Sequence, residues 1–251
     1  MIMNIYEDIF FTSVSAGDLY LPEQAPGDAV VLLIHGGGWC SMDKKDVRGI
    51  AEFLCGEIGL PVFNINYRLT RESPWPACGD DCLSAANFLL DGKLPGVLCK
   101  KLLVVGVSAG GHLALMTGLR LPREKTVGIV SISGIADMEP DCKLAPCRYK
   151  EFFGREDFSK EDLLAASAMG LLSADAPPVL CTHDIDDVVV PFGSVKNFQE
   201  AGHAIGMDIS LYAYQRPGDE WSHHIWIPGS EPHKLYRDLE EKIAGFIAGK
   251  C

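Results

Sequence analysis

Ser108 stands at the centre of Gly106-Val107-Ser108-Ala109-Gly110. The apolar run Leu102-Leu103-Val104-Val105 comes just before it, and His112-Leu113-Ala114-Leu115-Met116, which can continue as a helix, comes just after. A strand that reverses into a helix within so few residues holds its apex in a strained backbone conformation. A side chain two positions away on either side would collide with the neighbouring strand or helix. The two glycines meet that demand, and the hydroxyl at the apex is pushed outward. The five-residue pattern by itself is common. The buried strand before it and the helix after it are what make Ser108 a candidate nucleophile.

A second strand runs into glycine upstream, where Ala29-Val30-Val31-Leu32-Leu33-Ile34 leads to His35-Gly36-Gly37-Gly38-Trp39. Cleavage of an ester or amide passes through a tetrahedral oxyanion, which backbone N–H groups stabilise only if the chain can approach without side chains in the way. Three successive glycines permit that approach. Alone, such a loop would read as a flexible turn; beside the serine elbow it reads as an oxyanion loop.

Apolar runs and amphipathic stretches alternate along the rest of the chain. The pattern predicts strands over residues 8–13, 28–34, 61–66, 101–107, 126–133, 178–182 and 208–214, and helices over 44–58, 76–90, 110–119, 192–204 and 232–248. Such alternation implies an α/β protein with a mostly parallel central sheet and helices on both faces. No repeat, linker or low-complexity tract interrupts it, and 251 residues that are 47% hydrophobic suffice for one large core. A single domain over 1–251 is therefore expected. Residues 135–176 are too long for an ordinary connection between adjacent strands. They carry Tyr149, Phe152 and Phe153 followed by a charged helical stretch, and predict a small helical cap excursion. The formal net charge of −12 argues against a nucleic acid or an anionic membrane surface as partner. No stretch reaches transmembrane length, so membrane insertion is not expected.

With these residues in view, the chain resembles the α/β-hydrolase superfamily. Within it, the similarity is to hormone-sensitive-lipase-like and feruloyl-esterase-like carboxylesterases and to kynurenine formamidases. The resemblance runs over nearly the whole chain. It is carried by Asp18-Leu19-Tyr20-Leu21-Pro22, His35 to Trp39, Asn66-Tyr67-Arg68-Leu69, Pro74-Trp75-Pro76-Ala77, Gly106 to His112, and His183-Asp184-Ile185-Asp186-Asp187-Val188-Val189-Val190-Pro191. In the last segment the family usually reads His-Gly-x-x-Asp-x-x-Val-Pro; this chain has Asp184 in place of the glycine.

A serine hydroxyl is a poor nucleophile at neutral pH. It needs a histidine to take its proton and a carboxylate to hold that histidine's tautomer. In the α/β-hydrolase class the three follow in the order Ser, Asp or Glu, His. The acid is thus expected after the strand over 178–182, where the family pattern places it on Asp187, with Asp186 as the alternative. The base is expected after the strand over 208–214, where His223 and His224 both qualify. His224 is preferred, because similar sequences follow the catalytic histidine with a large apolar residue, as Ile225-Trp226 follow here. The oxyanion would be held by the backbone N–H groups of Gly37, Gly38 and Ala109. His35 is expected to hold the glycine loop by hydrogen bonds. His112, His183, His203 and His233 are expected to be structural, the last two on helices. All four tryptophans, Trp39, Trp75, Trp221 and Trp226, are expected to pack in the core or at its rim, with Trp39, beside the glycine loop, the best candidate for an exception.

Nine cysteines, several in apparent core elements, point to a reducing compartment. Residues 1–8 lack a basic segment followed by an apolar run, so no signal peptide is expected and a cytoplasmic location follows. Neither Cys78 with Cys82 nor Cys142 with Cys147 has zinc-site spacing, so no metal is expected. The acyl-enzyme route needs no cofactor. Together these features predict a serine hydrolase of short-chain carboxylic esters, with a small-molecule ester or amide as its partner. Arylformamidase activity and release of acetyl or feruloyl groups from polysaccharide are the alternatives within that class. A non-catalytic binding protein on the same fold is the alternative outside it.

Overall fold

A computed structural model describes residues 3–24, 27–216, 223–248 and 250. Eight strands form one sheet: β1 (Met3–Phe10), β2 (Ala16–Pro22), β3 (Ala29–Ile34), β4 (Val62–Ile65), β5 (Lys101–Val107), β6 (Thr126–Ile132), β7 (Val179–Asp184) and β8 (Ile209–Tyr214). Their order is β1-β2-β4-β3-β5-β6-β7-β8. β2 runs antiparallel to both β1 and β4, and the other neighbours are parallel. The central strands read as unbroken apolar runs because helices cover both faces. On one face α1 (Arg48–Gly56) and α8 (Arg237–Ala248) pack Ile50, Leu54, Leu239 and Ile243 against Val31, Leu33 and Val105. On the other, α2 (Ala77–Leu90), α3 (Ala109–Gly118) and α7 (Phe192–Ala204) set Cys82, Leu113 and Phe198 against Leu32, Ile34 and Val104. Alternate residues of one strand thus serve two cores, as the period of two requires.

Residues 135–176 carry α4 (Met138–Leu144), α5 (Pro146–Phe153) and α6 (Lys160–Ala165) between β6 and β7. Their aromatic side chains Tyr149 and Phe152 are buried, and Phe152 stacks on Trp75 at 5.2 Å between ring centroids, while Leu144 and Leu164 are exposed.

The structure departs from the sequence pattern at three places. The first strand lies at Met3–Phe10, N-terminal to the predicted 8–13, and β2 carries no predicted strand at all. Most of β1 is exposed, so its sequence shows no alternation between core and solvent. β2 contains Gly17 and Asp18, types that strands disfavour. Both have tertiary reasons: a Cβ on Gly17 would sit 2.8 Å from the Phe63 ring, and Asp18 is buried in an ion pair with Lys44. The C-terminal helix begins at Arg237, so His233 lies outside it. No helix among the described residues is long and apolar enough to cross a membrane. The eight described cysteines, Cys142 and Cys147 included, are all free. Trp221 lies outside the described residues.

Candidate active site

The parallel strands deliver their C-terminal ends to one edge of the sheet, where three loops meet. Ser108 caps α3 just after β5 with φ 55° and ψ −121°, a left-handed conformation that is strained for a residue with a side chain. Such a conformation costs on the order of 1–3 kcal/mol and persists only where the surroundings enforce it. Here they do: the Ser108 N–H donates to Ile132 O on β6 at 2.8 Å, and the Ser108 carbonyl accepts the first helical bond from His112 N–H at 3.1 Å. The flanking glycines are dictated by contact. A Cβ on Gly106 would lie 1.9 Å from Gly110 O, and one on Gly110 would lie 2.3 Å from the carbonyl oxygens of both Ile34 and His35. Gly110 thus packs the elbow against the root of the glycine loop.

That loop passes beside Ser108. A Cβ on Gly36 would come within 3.3 Å of Ser108 Cβ. Gly37 (φ +93°) and Gly38 (φ +59°) turn the chain, and Gly37 O accepts from Cys40 N–H, Ser41 N–H and Ser41 Oγ–H at 2.8–3.1 Å. Among the described residues, the N–H groups of Gly37, Gly38 and Ala109 donate to no protein acceptor. Beneath the loop, the Tyr67 hydroxyl bonds the carbonyls of His35 and Gly36. The His35 ring stacks on Tyr67 at 4.2 Å and donates Nδ1–H to Gly36 O at 2.9 Å. Burial lowers the His35 pKa to about 4, so the ring is neutral.

The carboxylate and imidazole that approach Ser108 come from the loops after β7 and β8. Asp187 is buried; its Oδ1 accepts the N–H groups of Val189 and Val190, each at 2.9 Å, and its Oδ2 accepts His223 Nδ1–H at 2.7 Å. His223 Nε2 is then 3.0 Å from Ser108 Oγ. The preference for His224 is therefore corrected: it is His223 that lies between Asp187 and Ser108. His224 instead directs Nδ1 to Asp184 Oδ2 at 3.0 Å, and the two rings part because Ile225 N–H closes a tight turn onto His223 O at 2.8 Å. Asp186, the alternative acid, accepts from Gln215 Nε2 at 2.7 Å, whereas the ring Nδ1 atoms of His223 and His224 meet Asp187 and Asp184. His183 donates Nε2–H to Val190 O at 2.9 Å, steadying the acid loop, and burial pushes its pKa down.

Trp39 packs in the core, and its place beside the glycine loop does not make it an exception. It is buried, donates Nε1–H to His112 Nδ1 at 3.1 Å, and lies 4.6 Å from the Phe152 ring. His112 passes the contact on, giving Nε2–H to Ala166 O at 2.6 Å. Its burial lowers the pKa to about 4 and keeps it neutral. A histidine that looked like a helix residue thus ties the glycine loop to the segment after β6. That segment is tied in turn to the acid loop, since Arg148, paired with buried Asp141, donates to Val189 O at 3.4 Å. Sequence reasoning missed these ties, and it also missed the Asp184–His224 pair. The clue to that pair was two carboxylates three residues apart matched by two adjacent histidines.

The sheet order, the elbow after β5 and the loops after β7 and β8 define an α/β-hydrolase fold. Residues 17–201 match the family model BD-FAE, and the chain belongs to that family. Two curated relatives are similar over part of their length. The versiconal hemiacetal acetate esterase of Emericella nidulans is 29% identical over 158 residues, 60% of this chain and 53% of that protein. The ethyl acetate hydrolase of Pseudomonas putida is 34% identical over 113 residues, 43% of this chain and 35% of that protein. The chain therefore spans about half or less of their length. Among solved structures, a truncated form of a carbohydrate esterase from gut microbiota shares the fold with a TM-score of 0.80 at 19% identity, covering 98% of this chain and 96% of that one.

Proposed function

We propose that this chain is a serine hydrolase that cleaves short-chain carboxylic esters through an acyl-enzyme intermediate. The observation that carries the reading is the hydrogen-bonded path from Ser108 Oγ through His223 to Asp187, set beside a glycine loop with undonated N–H groups. As Ser108 Oγ attacks the carbonyl carbon, its proton passes to His223 Nε2. Asp187 stays ionised, fixes the Nδ1–H tautomer and stabilises the imidazolium. The carbonyl oxygen becomes an oxyanion held by the N–H groups of Gly37, Gly38 and Ala109, the last at the positive end of α3. On collapse, His223 Nε2–H protonates the departing alcohol. Water, deprotonated by the same nitrogen, then releases the acid.

Two features support a short acyl group. The aromatic side chains of residues 135–176 that form the predicted cap pack on Trp39, Trp75 and one another. They are not arranged as the wall of a long apolar channel, and each acyl methylene adds about 0.8 kcal/mol of binding only if it is buried. The Pseudomonas putida relative, moreover, is an ethyl acetate hydrolase. A reducing, cytoplasmic compartment fits the eight free cysteines.

A fluorophosphonate probe should label Ser108, and Ser108→Ala should abolish both labelling and turnover. With p-nitrophenyl esters kept below their solubility limits, kcat/KM should peak between acetate and butyrate and fall by octanoate. Failure of the folded protein to label would overturn the enzyme reading, and a rise continuing through decanoate would overturn the short-acyl part.

A further inference from the structure

Beside Asp187 and His223 lies a second carboxylate–imidazole pair that the proposed mechanism does not use. Asp184 ends β7 with its side chain wholly buried. Its Oδ2 accepts His224 Nδ1–H at 3.0 Å, and its Oδ1 accepts Asp186 N–H at 3.1 Å. Its own carbonyl accepts Asp187 N–H at 3.2 Å. One residue therefore touches both loops that supply the acid and base. A carboxylate is expensive to bury and is kept only where donors meet it.

Between β8 and α8 the described residues form no regular element beyond a single bridge from Trp226 to Leu235. His224 is pinned in three ways: through Nδ1 to Asp184, through its carbonyl to the Tyr214 hydroxyl at 3.1 Å, and through the tight turn onto His223 O, with Ile225 buried next to it. His223 is the residue immediately before this anchor. Its ring must satisfy two distances at once, 2.7 Å to Asp187 and 3.0 Å to Ser108, and a displacement of the order of 1 Å can cost about a hundredfold in rate.

We infer that Asp184 and His224 are positioning residues: the buried pair clamps the acid loop to the base loop and so holds His223 in line between Asp187 and Ser108. The inference rests on the hydrolase reading above. His224 touches no reacting atom; it acts through the backbone it shares with His223. Without the clamp, substrate still binds but the base is misaligned, so the loss falls on kcat.

The test uses the full chain with p-nitrophenyl acetate and the fluorophosphonate probe, comparing wild type with His224→Leu, His224→Asn, Asp184→Gly and the double variant Asp184→Gly/His224→Leu. His224→Leu removes the donor, whereas His224→Asn keeps an N–H near the position of Nδ1. The clamp requires His224→Leu to lower kcat about thirtyfold with KM within about twofold, and to slow labelling of Ser108 to match. His224→Asn should recover to within about threefold of wild type, and the double variant should be no worse than the poorer single one, because the two residues act as a unit. Multiplicative losses in the double variant, a change in KM instead of kcat, or no rescue by asparagine would overturn the clamp. If Asp184→Gly does not fold, the Leu and Asn variants at 224 decide alone. Wild-type protein that neither labels nor turns over would sink the hydrolase reading itself, a result distinct from a labelled wild type with unaffected variants.

Discussion

On the nucleophile side of the site, Ser108 and the glycines at 36–38 hang from the ends of β5 and β3, neighbouring strands in the middle of the sheet. Backbone fills almost all the space there, so that a single methyl group on Gly106 or Gly110 would overlap a carbonyl. On the opposite side, Asp187 and His223 sit in irregular connections after β7 and β8, and side-chain hydrogen bonds align them. The first half is positioned by exclusion and tolerates almost no added volume. The second is positioned by attraction and responds to the loss of individual polar atoms. Added volume in the first should therefore appear mainly as lost folding, and loss of a polar atom in the second mainly as lost rate.

The largest separation is expected on the acid–base side. His223→Ala should lower kcat/KM by about a thousandfold or more while leaving the thermal transition within a few degrees of wild type, and Asp187→Asn should lose somewhat less. Asp186→Asn should stay within about twofold. If Asp186→Asn proved as damaging as Asp187→Asn, the acid would have to be reassigned.

Glycine substitutions probe the other half. Gly106→Ala should destabilise by about 3 kcal/mol or more, because the obstructing atoms are backbone and cannot swing aside. Gly245→Ala, in the exposed middle of α8 with nothing within 4 Å of the new methyl, should stabilise by about 0.5–1 kcal/mol. Urea unfolding measures both. A Gly106→Ala protein as stable as wild type would break the distinction between the two sides.

Acid should act on the nucleophile side through two buried histidines. His35 and His112 have folded pKa values of about 4 against an ordinary 6.5, since burial disfavours their charged forms. Below pH 6.5 the unfolded chain binds protons that the native state refuses. Their contribution is thus complete above that pH and drains away as pH falls toward 4, by up to about 3 kcal/mol for each. Urea midpoints at pH 7, 5.5 and 4.5 should decline accordingly, and more gently for His112→Asn. An identical slope in that variant would remove His112 from the account.

The elbow and the glycine loop were legible because each is a local solution, with strand, glycine and turn adjacent in the chain. The helices over 76–90 and 192–204 were legible for a related reason, since their apolar faces recur at helical spacing. β2 was not, because Gly17 and Asp18 are chosen by Phe63 and Lys44, which are remote in sequence. The direction of the Trp39 ring was not legible, because proximity to a loop says nothing about which way a ring turns. His112 and Phe152 close over it from 73 and 113 positions away.

The sequence by itself determined that a serine would be forced outward at a strand-to-helix turn beside a side-chain-free loop, and that acidic residues and histidines would follow after later strands. Which histidine meets the serine was decided only in three dimensions. His223 and His224 are chemically identical neighbours, and no property of either residue separates them. The choice depends on the tight turn between them and on two buried carboxylates three residues apart, one receiving each ring. Those distances exist only once β7 and β8 are paired in register, because the pairing brings residues 184 and 187 alongside residues some forty positions later.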